Sequence, residues 1–174
     1  MADIQIPEFT LNGVDYGSLG IRLDDDSGKT NASINLNRVE DELLLLVNAS
    51  LDKESKALDG TVKARNLVMS TFEFIIDDGI SETAGFANID AQMFGSLNDI
   101  KLDGSATVVN GKTKIDYLGN LIQLGSETFT FSERFIDLTN VSLFDRLGNQ
   151  AIMTGGLNHY LFGEFSTDLN MKSE

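Results

Sequence analysis

The feature that most constrains this chain is a period-two alternation of apolar and polar residues that persists for most of its length. Ala32, Ile34 and Leu36 alternate with Ser33, Asn35 and Asn37. Leu43, Leu45, Val47, Ala49 and Leu51 share one phase, and Gly85, Ala87, Ile89, Ala91 and Met93 share another. Leu102, Ala106 and Val108 follow, then Ile115 with Tyr117, Phe129 with Phe131, Val141 with Leu143, and Met153 with Leu157. Successive side chains of a strand point to opposite faces, so each such run is a strand with one oily and one wet side. The pattern predicts a mostly β protein built on an antiparallel sheet.

Asn12-Gly13, Asp59-Gly60, Asp78-Gly79, Asp103-Gly104 and Asn110-Gly111 punctuate the runs. Asn110-Gly111 reads as the turn of a hairpin joining Ala106–Val109 to Thr113–Asp116. Asp103-Gly104 interrupts a single phase and reads as a bulge or a closely packed strand glycine. The only proline, Pro7, sits near the start, where an edge strand tolerates it. One stretch has helical character. Ser70-Thr71-Phe72-Glu73 matches a capping box, and Phe72, Ile75 and Ile76 follow helical spacing. A short helix over residues 70–77 is expected, with a hairpin through Phe72–Ile76 as the alternative. The loop Asp145–Asn149 is expected to place Gly148 at positive φ.

A weak internal repeat pairs Leu58-Asp59-Gly60-Thr61-Val62 with Leu102-Asp103-Gly104-Ser105-Ala106. A spacing of this kind suits a stacked, solenoid-like sheet. The chain of 174 residues is expected to be a single β domain over 1–174. It enters an alternating stretch at once, at Ile4 and Ile6, as an excised segment of a much longer protein would.

Charge and composition narrow the function. Thirteen basic and 27 acidic side chains give a net charge of −14, which argues against a nucleic-acid partner and against unassisted docking on an anionic membrane. With no Cys and one His, neither a disulfide framework nor a structural zinc site is expected. No apolar run approaches membrane-spanning length, and no signal peptide is visible.

Three motifs imitate chemistry. Ala106-Thr107-Val108-Val109-Asn110-Gly111-Lys112-Thr113 is one residue from a phosphate-binding loop, but strand residues rather than a helix follow it. Asp24-Asp25-Asp26-Ser27-Gly28 is acidic, yet Lys29 and Asn35 stand where a calcium loop needs Gly and Glu, so it reads as a solvated turn. His159 lies in phase with Met153, Leu157 and Leu161, as a packed histidine does, and no nucleophile elbow accompanies it. Neither a catalytic set nor a cofactor or metal site is expected, and the chain is read as not being an enzyme.

The C-terminal half carries an ordered series of motifs. The pattern runs Leu102-Asp103-Gly104-Ser105-Ala106, Ile115-Asp116-Tyr117-Leu118-Gly119, Thr128-Phe129-Thr130-Phe131 and Phe135-Ile136-Asp137-Leu138. It continues through Val141-Ser142-Leu143-Phe144-Asp145-Arg146-Leu147-Gly148-Asn149-Gln150-Ala151 to Thr154-Gly155-Gly156-Leu157-Asn158-His159-Tyr160-Leu161-Phe162. This order of motifs resembles the TamB family (the DUF490 region), in its Bacteroidetes-like form, over residues 58–174, while 1–57 match only in character. The resemblance implies a translocation and assembly protein anchored in the inner membrane, crossing the periplasm and working with an Omp85-type outer-membrane barrel through parts outside this chain. It also implies a curled antiparallel sheet, a β-taco with an apolar groove, and roles in phospholipid transport and outer-membrane biogenesis.

The residues agree with that implication. A sheet with one oily face must hide it, and one short helix cannot cover so much. The inward phase therefore either lines a groove for phospholipid acyl chains (or detergent) or fills an ordinary sandwich core. The candidate wall is Leu43, Leu45, Val47, Ile89, Met93, Leu102, Val108, Ile115, Tyr117, Phe129, Phe131, Leu143, Met153 and Leu157. A second possibility is a chaperone-like scaffold that offers sheet edges to unfolded strands. A β-solenoid carbohydrate hydrolase is disfavoured by the absence of Trp.

Overall fold

The computed structural model describes residues 1–11, 13–38, 42–73, 80–115, 119–160 and 164–173. The chain is 76% strand and 3% helical, arranged as a large antiparallel sheet that is not closed into a barrel. The mostly β expectation is met. The strands are β1 (Ala2–Ile6), β2 (Thr10–Leu11), β3 (Val14–Asp15), β4 (Ser18–Asp26), β5 (Lys29–Asn37), β6 (Leu43–Asp52), β7 (Leu58–Val68) and β8 (Ile80–Ser96). They continue as β9 (Asp99–Ile115), β10 (Asn120–Leu124), β11 (Glu127–Ser132), β12 (Phe135–Asp137), β13 (Val141–Phe144), β14 (Gln150–Tyr160) and β15 (Glu164–Ser173).

Two compact units are present: Met1–Arg65 with Ile89–Leu102, and Asn66–Asn88 with Asp103–Glu174. In the first, the strand order β1-β4-β5-β6-β7-β8-β9 follows the sequence once the small β2–β3 hairpin is set aside. Tyr16, at the end of that hairpin, is buried and stacks at a tilt on Phe9, with ring centroids 6.2 Å apart.

In the second unit, β10 pairs with Gly111–Ile115 of β9 and β11 with Gly104–Val108 of the same strand, in one continuous register. β10 and β11 are therefore two halves of one interrupted strand. β12 and β13 likewise both pair with β14, with the register shifted by one residue between them. The whole arrangement is an up-and-down meander.

The interruptions align across neighbouring strands. Gly85 of β8 (φ +102°) lies against the Asn110 carbonyl, and Asn110 of β9 itself has φ +51°. Across from Asn110 comes the Gly125-Ser126 break, then the Leu138–Asn140 break with Asn140 at φ +64°. Gly155 of β14 has φ +102°, and its carbonyl accepts from the Leu138 amide at 2.9 Å. Left-handed residues and breaks of this kind turn the chain out of the regular extended path. A row of them makes a crease, along which the sheet of this unit curls.

Two local expectations are corrected here. Asn110-Gly111 is no hairpin turn: β9 runs through it from Asp99 to Ile115, with Asn110 at positive φ. Asn tolerates the left-handed region, so the dipeptide can stand inside a strand as well as in a turn. Of the helix expected over 70–77, the described part is a 3₁₀ turn, Met69–Phe72, with no side-chain cap. Glu73 does not reach back to Ser70; its carboxylate accepts the Thr83 amide of β8 instead. Residues 74–79, including Asp78-Gly79, lie outside the described residues.

Asp59-Gly60 is likewise interior to β7 rather than a turn. Asp103-Gly104 lies within β9, with Gly104 paired to Phe131, as a strand glycine should. The acidic run Asp24–Asp26 ends β4, and Ser27-Gly28 closes its hairpin to β5. The Asp145–Asn149 loop forms with Gly148 at φ +85°.

Candidate functional site

Residues paired directly across an antiparallel ladder share a face, and the next row along points the other way. In the first unit one row runs Ile4, Ile21, Ile34, Val47, Val62 across five strands. Its neighbour, one residue along, runs Asp3, Arg22, Ser33, Asn48, Thr61. The two faces of the sheet are thus chemically opposite at single-residue spacing. A second apolar row, Ile6, Leu19, Leu36, Leu45, Ala64, lies two residues from the first.

None of the five residues in the Ile4–Val62 row is buried. Ile4 is 52% exposed, and Leu23 on the same face is 42% exposed. In the second row Leu36 and Ala64 are buried, while Leu19 and Leu45 are partly so.

Of the candidate wall residues in this unit, Leu45 and Val47 stand in these rows. Met93 joins them: its methyl lies 2.9 Å from where a side chain on Gly60 would begin. Gly60 pairs with Ala49, two residues from Val47. Ile89, on the same phase of β8, and Leu102, on β9, are partly buried. Leu43 does not follow the expected phase. The register shifts between Leu36 and Asn37, which pair with Leu45 and Leu43, so Leu44 is the extra residue. Leu44, at 1% exposure, is among the most buried side chains in the described chain. A run of four leucines carries no phase of its own, so the alternation could not reveal which one turns inward.

In the second unit the candidate residues converge. Leu138, Val141 and Leu143 are buried together, and Phe129, Met153 and Leu157 pack on them with Ile122, Leu124 and Ile136. Both sides of the crease contribute. Val108 is buried, and Phe131 pairs with Gly104 and Ile136. Leu138, which alternates in phase with Ile136 but is not among the candidate wall residues, sits between the two strand halves. Ile115 lies in β9, but its side chain is not described. Tyr117 lies outside the described residues.

His159 is buried on β14, and its amide donates to the Arg134 carbonyl at 2.9 Å. Burial pushes its pKa below the ordinary 6.5, a bond with the Ser132 backbone opposing, so the imidazole is held neutral near pH 7. The carboxylates with depressed pKa values all serve local structure. Asp52 accepts from the Ser55 and Glu54 amides, and Asp25 pairs with Lys53 at 2.6 Å. Asp145 accepts from the amides of Leu147 (2.8 Å) and Asn149 (2.9 Å) and from the Asn149 side chain (2.7 Å).

Among the described residues no three His, Asp or Glu side chains gather as metal ligands, and no helix is long and apolar enough to cross a membrane. Comparison with family models, curated proteins and solved structures finds no match.

Proposed function

We propose that this chain is an acyl-chain-binding segment of a TamB-like translocation and assembly protein. In this reading it works in the periplasm, in a protein anchored in the inner membrane, and it serves phospholipid transport and outer-membrane biogenesis. An Omp85-type barrel would be engaged by parts outside this chain. The segment is not an enzyme, and it takes no cofactor.

The observation that carries the reading is the Ile4–Ile21–Ile34–Val47–Val62 row, an aliphatic stripe with no buried member. Five strands at the usual spacing make it roughly 19 Å long. An acyl chain gains about 0.8 kcal/mol for each methylene it buries, without any directional contact. Such a surface therefore holds a lipid while letting it slide, and no single wall residue is essential.

Met93→Asp places a carboxylate on the apolar face; Gln92→Asp places it on the exposed phase beside it. An unpaired charge against hydrocarbon is unfavourable by several kcal/mol. The expected result is a folded Met93→Asp variant that no longer binds a labelled fatty acid, beside a Gln92→Asp variant that does. A wild-type chain that binds no fatty acid contradicts the proposal.

A second reading has its own observation. β15 pairs with β14 over ten residues, contains no Pro, and carries Lys172 as its single basic residue. A long edge of this kind invites strand addition, which would serve a scaffold for unfolded barrel strands. Protection of the β15 amides by an added barrel peptide, with no lipid binding, would favour it.

A further inference from the structure

At one end of the second unit, a cavity of about 530 Å³ opens beside the Asp145–Asn149 loop. That volume lies within the range of small-molecule sites. Ile122, Leu143, Ala151 and Met171, from four different strands, supply its apolar lining. Leu143 pairs directly with Ala151.

The loop is a rigid rim. Asp145 and Asn149 are joined by a backbone bond of 3.1 Å, and Gly148 donates to the Asp145 carbonyl at 3.1 Å. Both Asp145 carboxylate oxygens are occupied by the loop's own donors. The one acid on the rim is thus turned to its own backbone.

Arg146 is the one cation lining the cavity, and among the described residues it makes no ion pair. Beside it Leu147 is 88% exposed. A free guanidinium and a bare leucine at the mouth of an apolar cavity match an anion joined to a hydrocarbon. That pairing stands out in a chain whose net charge is −14.

We propose that this cavity holds the headgroup end of an anionic lipid, with Arg146 on the phosphate and the first methylenes against Ile122, Leu143, Ala151 and Met171. The inference rests on the acyl-binding reading and adds to it a lipid class. A guanidinium binds phosphate through paired, charge-assisted hydrogen bonds, whereas a lysine acts as a point charge.

The test is a titration of the full chain, followed by amide NMR shifts. The probes are dihexanoylphosphatidylglycerol, neutral dihexanoylglycerol and inorganic phosphate. The phosphatidylglycerol is expected to bind more tightly than the neutral lipid, and phosphate alone not measurably. Arg146→Gln should weaken the anionic lipid about tenfold and leave the neutral one unchanged, while Arg146→Lys retains part of the difference. Met171→Gln, at an exposed position, should weaken both lipids. Equal binding of both lipids, or an Arg146→Gln chain that binds phosphatidylglycerol like wild type, overturns the headgroup site and leaves the acyl-binding reading standing. Phosphate binding as tightly as the lipid overturns the lipid assignment. Absence of binding by either lipid removes the acyl reading and this site together.

Discussion

The two units use the same alternation to different ends. In the first, rows of Ile, Leu and Val cross five strands with one register shift, at Leu44, and no member of the central row is buried. In the second, breaks and left-handed residues interrupt neighbouring strands, and Leu138, Val141 and Leu143 become buried with six apolar neighbours around them. The difference lies in the interruptions rather than in the amount of apolar residue. A regular sheet keeps its oily face spread out, whereas a creased sheet can turn that face on itself. The filled core that the alternation allows thus has a counterpart in the second unit, around Leu138, Val141 and Leu143.

Truncation in the core should separate the units most strongly. Leu143→Ala is expected to cost about 3 kcal/mol, because it opens a cavity in a packed cluster. Ile34→Ala, in the uncovered row, should cost about 1 kcal/mol, since that side chain is only partly removed from water. Denaturant melts of both variants check this, and equal losses would erase the distinction. The crease comes next. A side chain at Gly155 would meet the Asp168 carbonyl, and the backbone there is at φ +102°. Gly155→Val should therefore lower stability by about 2 kcal/mol. Gly148, at φ +85° with open space around it, isolates the backbone term. Gly148→Val should cost about 1 kcal/mol in the same melts, and if it costs as much as Gly155→Val, the crease contact contributes nothing.

The smallest effect is a pH dependence specific to the second unit, which holds the chain's only histidine. The folded state lowers the pKa of His159, so below 6.5 the unfolded chain binds the proton more readily. Stability should be complete above pH 6.5 and decline as pH falls through the folded-state pKa. His159→Gln should flatten the melting temperature between about pH 7 and 5. The lowered carboxylates fall in both units: Asp25, Asp52 and Asp90 in the first, Asp137 and Asp145 in the second. Their contribution is present above their ordinary value of 3.8 and is lost only at more acid pH, so it does not overlap with that of the histidine.

The strand content and the inward phase were legible because period two is a direct image of the pleat. Leu45, Val47, Phe129, Leu143, Met153 and Leu157 fall where their phase predicts. The failures share one physical cause, a single-residue irregularity that alternation cannot register. Leu44 is turned inward by a bulge inside a leucine run. Asn110-Gly111 has the chemistry of a turn but is held in a strand by pairing on both sides. Glu73 had a cap partner by spacing, but the Thr83 amide of the next strand took its carboxylate. The rim cation at Arg146 has no sequence signature, because its place above an apolar cavity depends on four strands ending together.

The central claim is that the uncovered row of the first unit is a lipid-binding surface. Photo-crosslinking groups placed singly at Val47 and at Asn48 test it most directly. These neighbours stand in the apolar and polar rows, respectively, of the same strand. With labelled phospholipid present, Val47 should crosslink to the acyl chain and Asn48 should not. Crosslinks of equal yield at both positions, or at neither, would contradict the account.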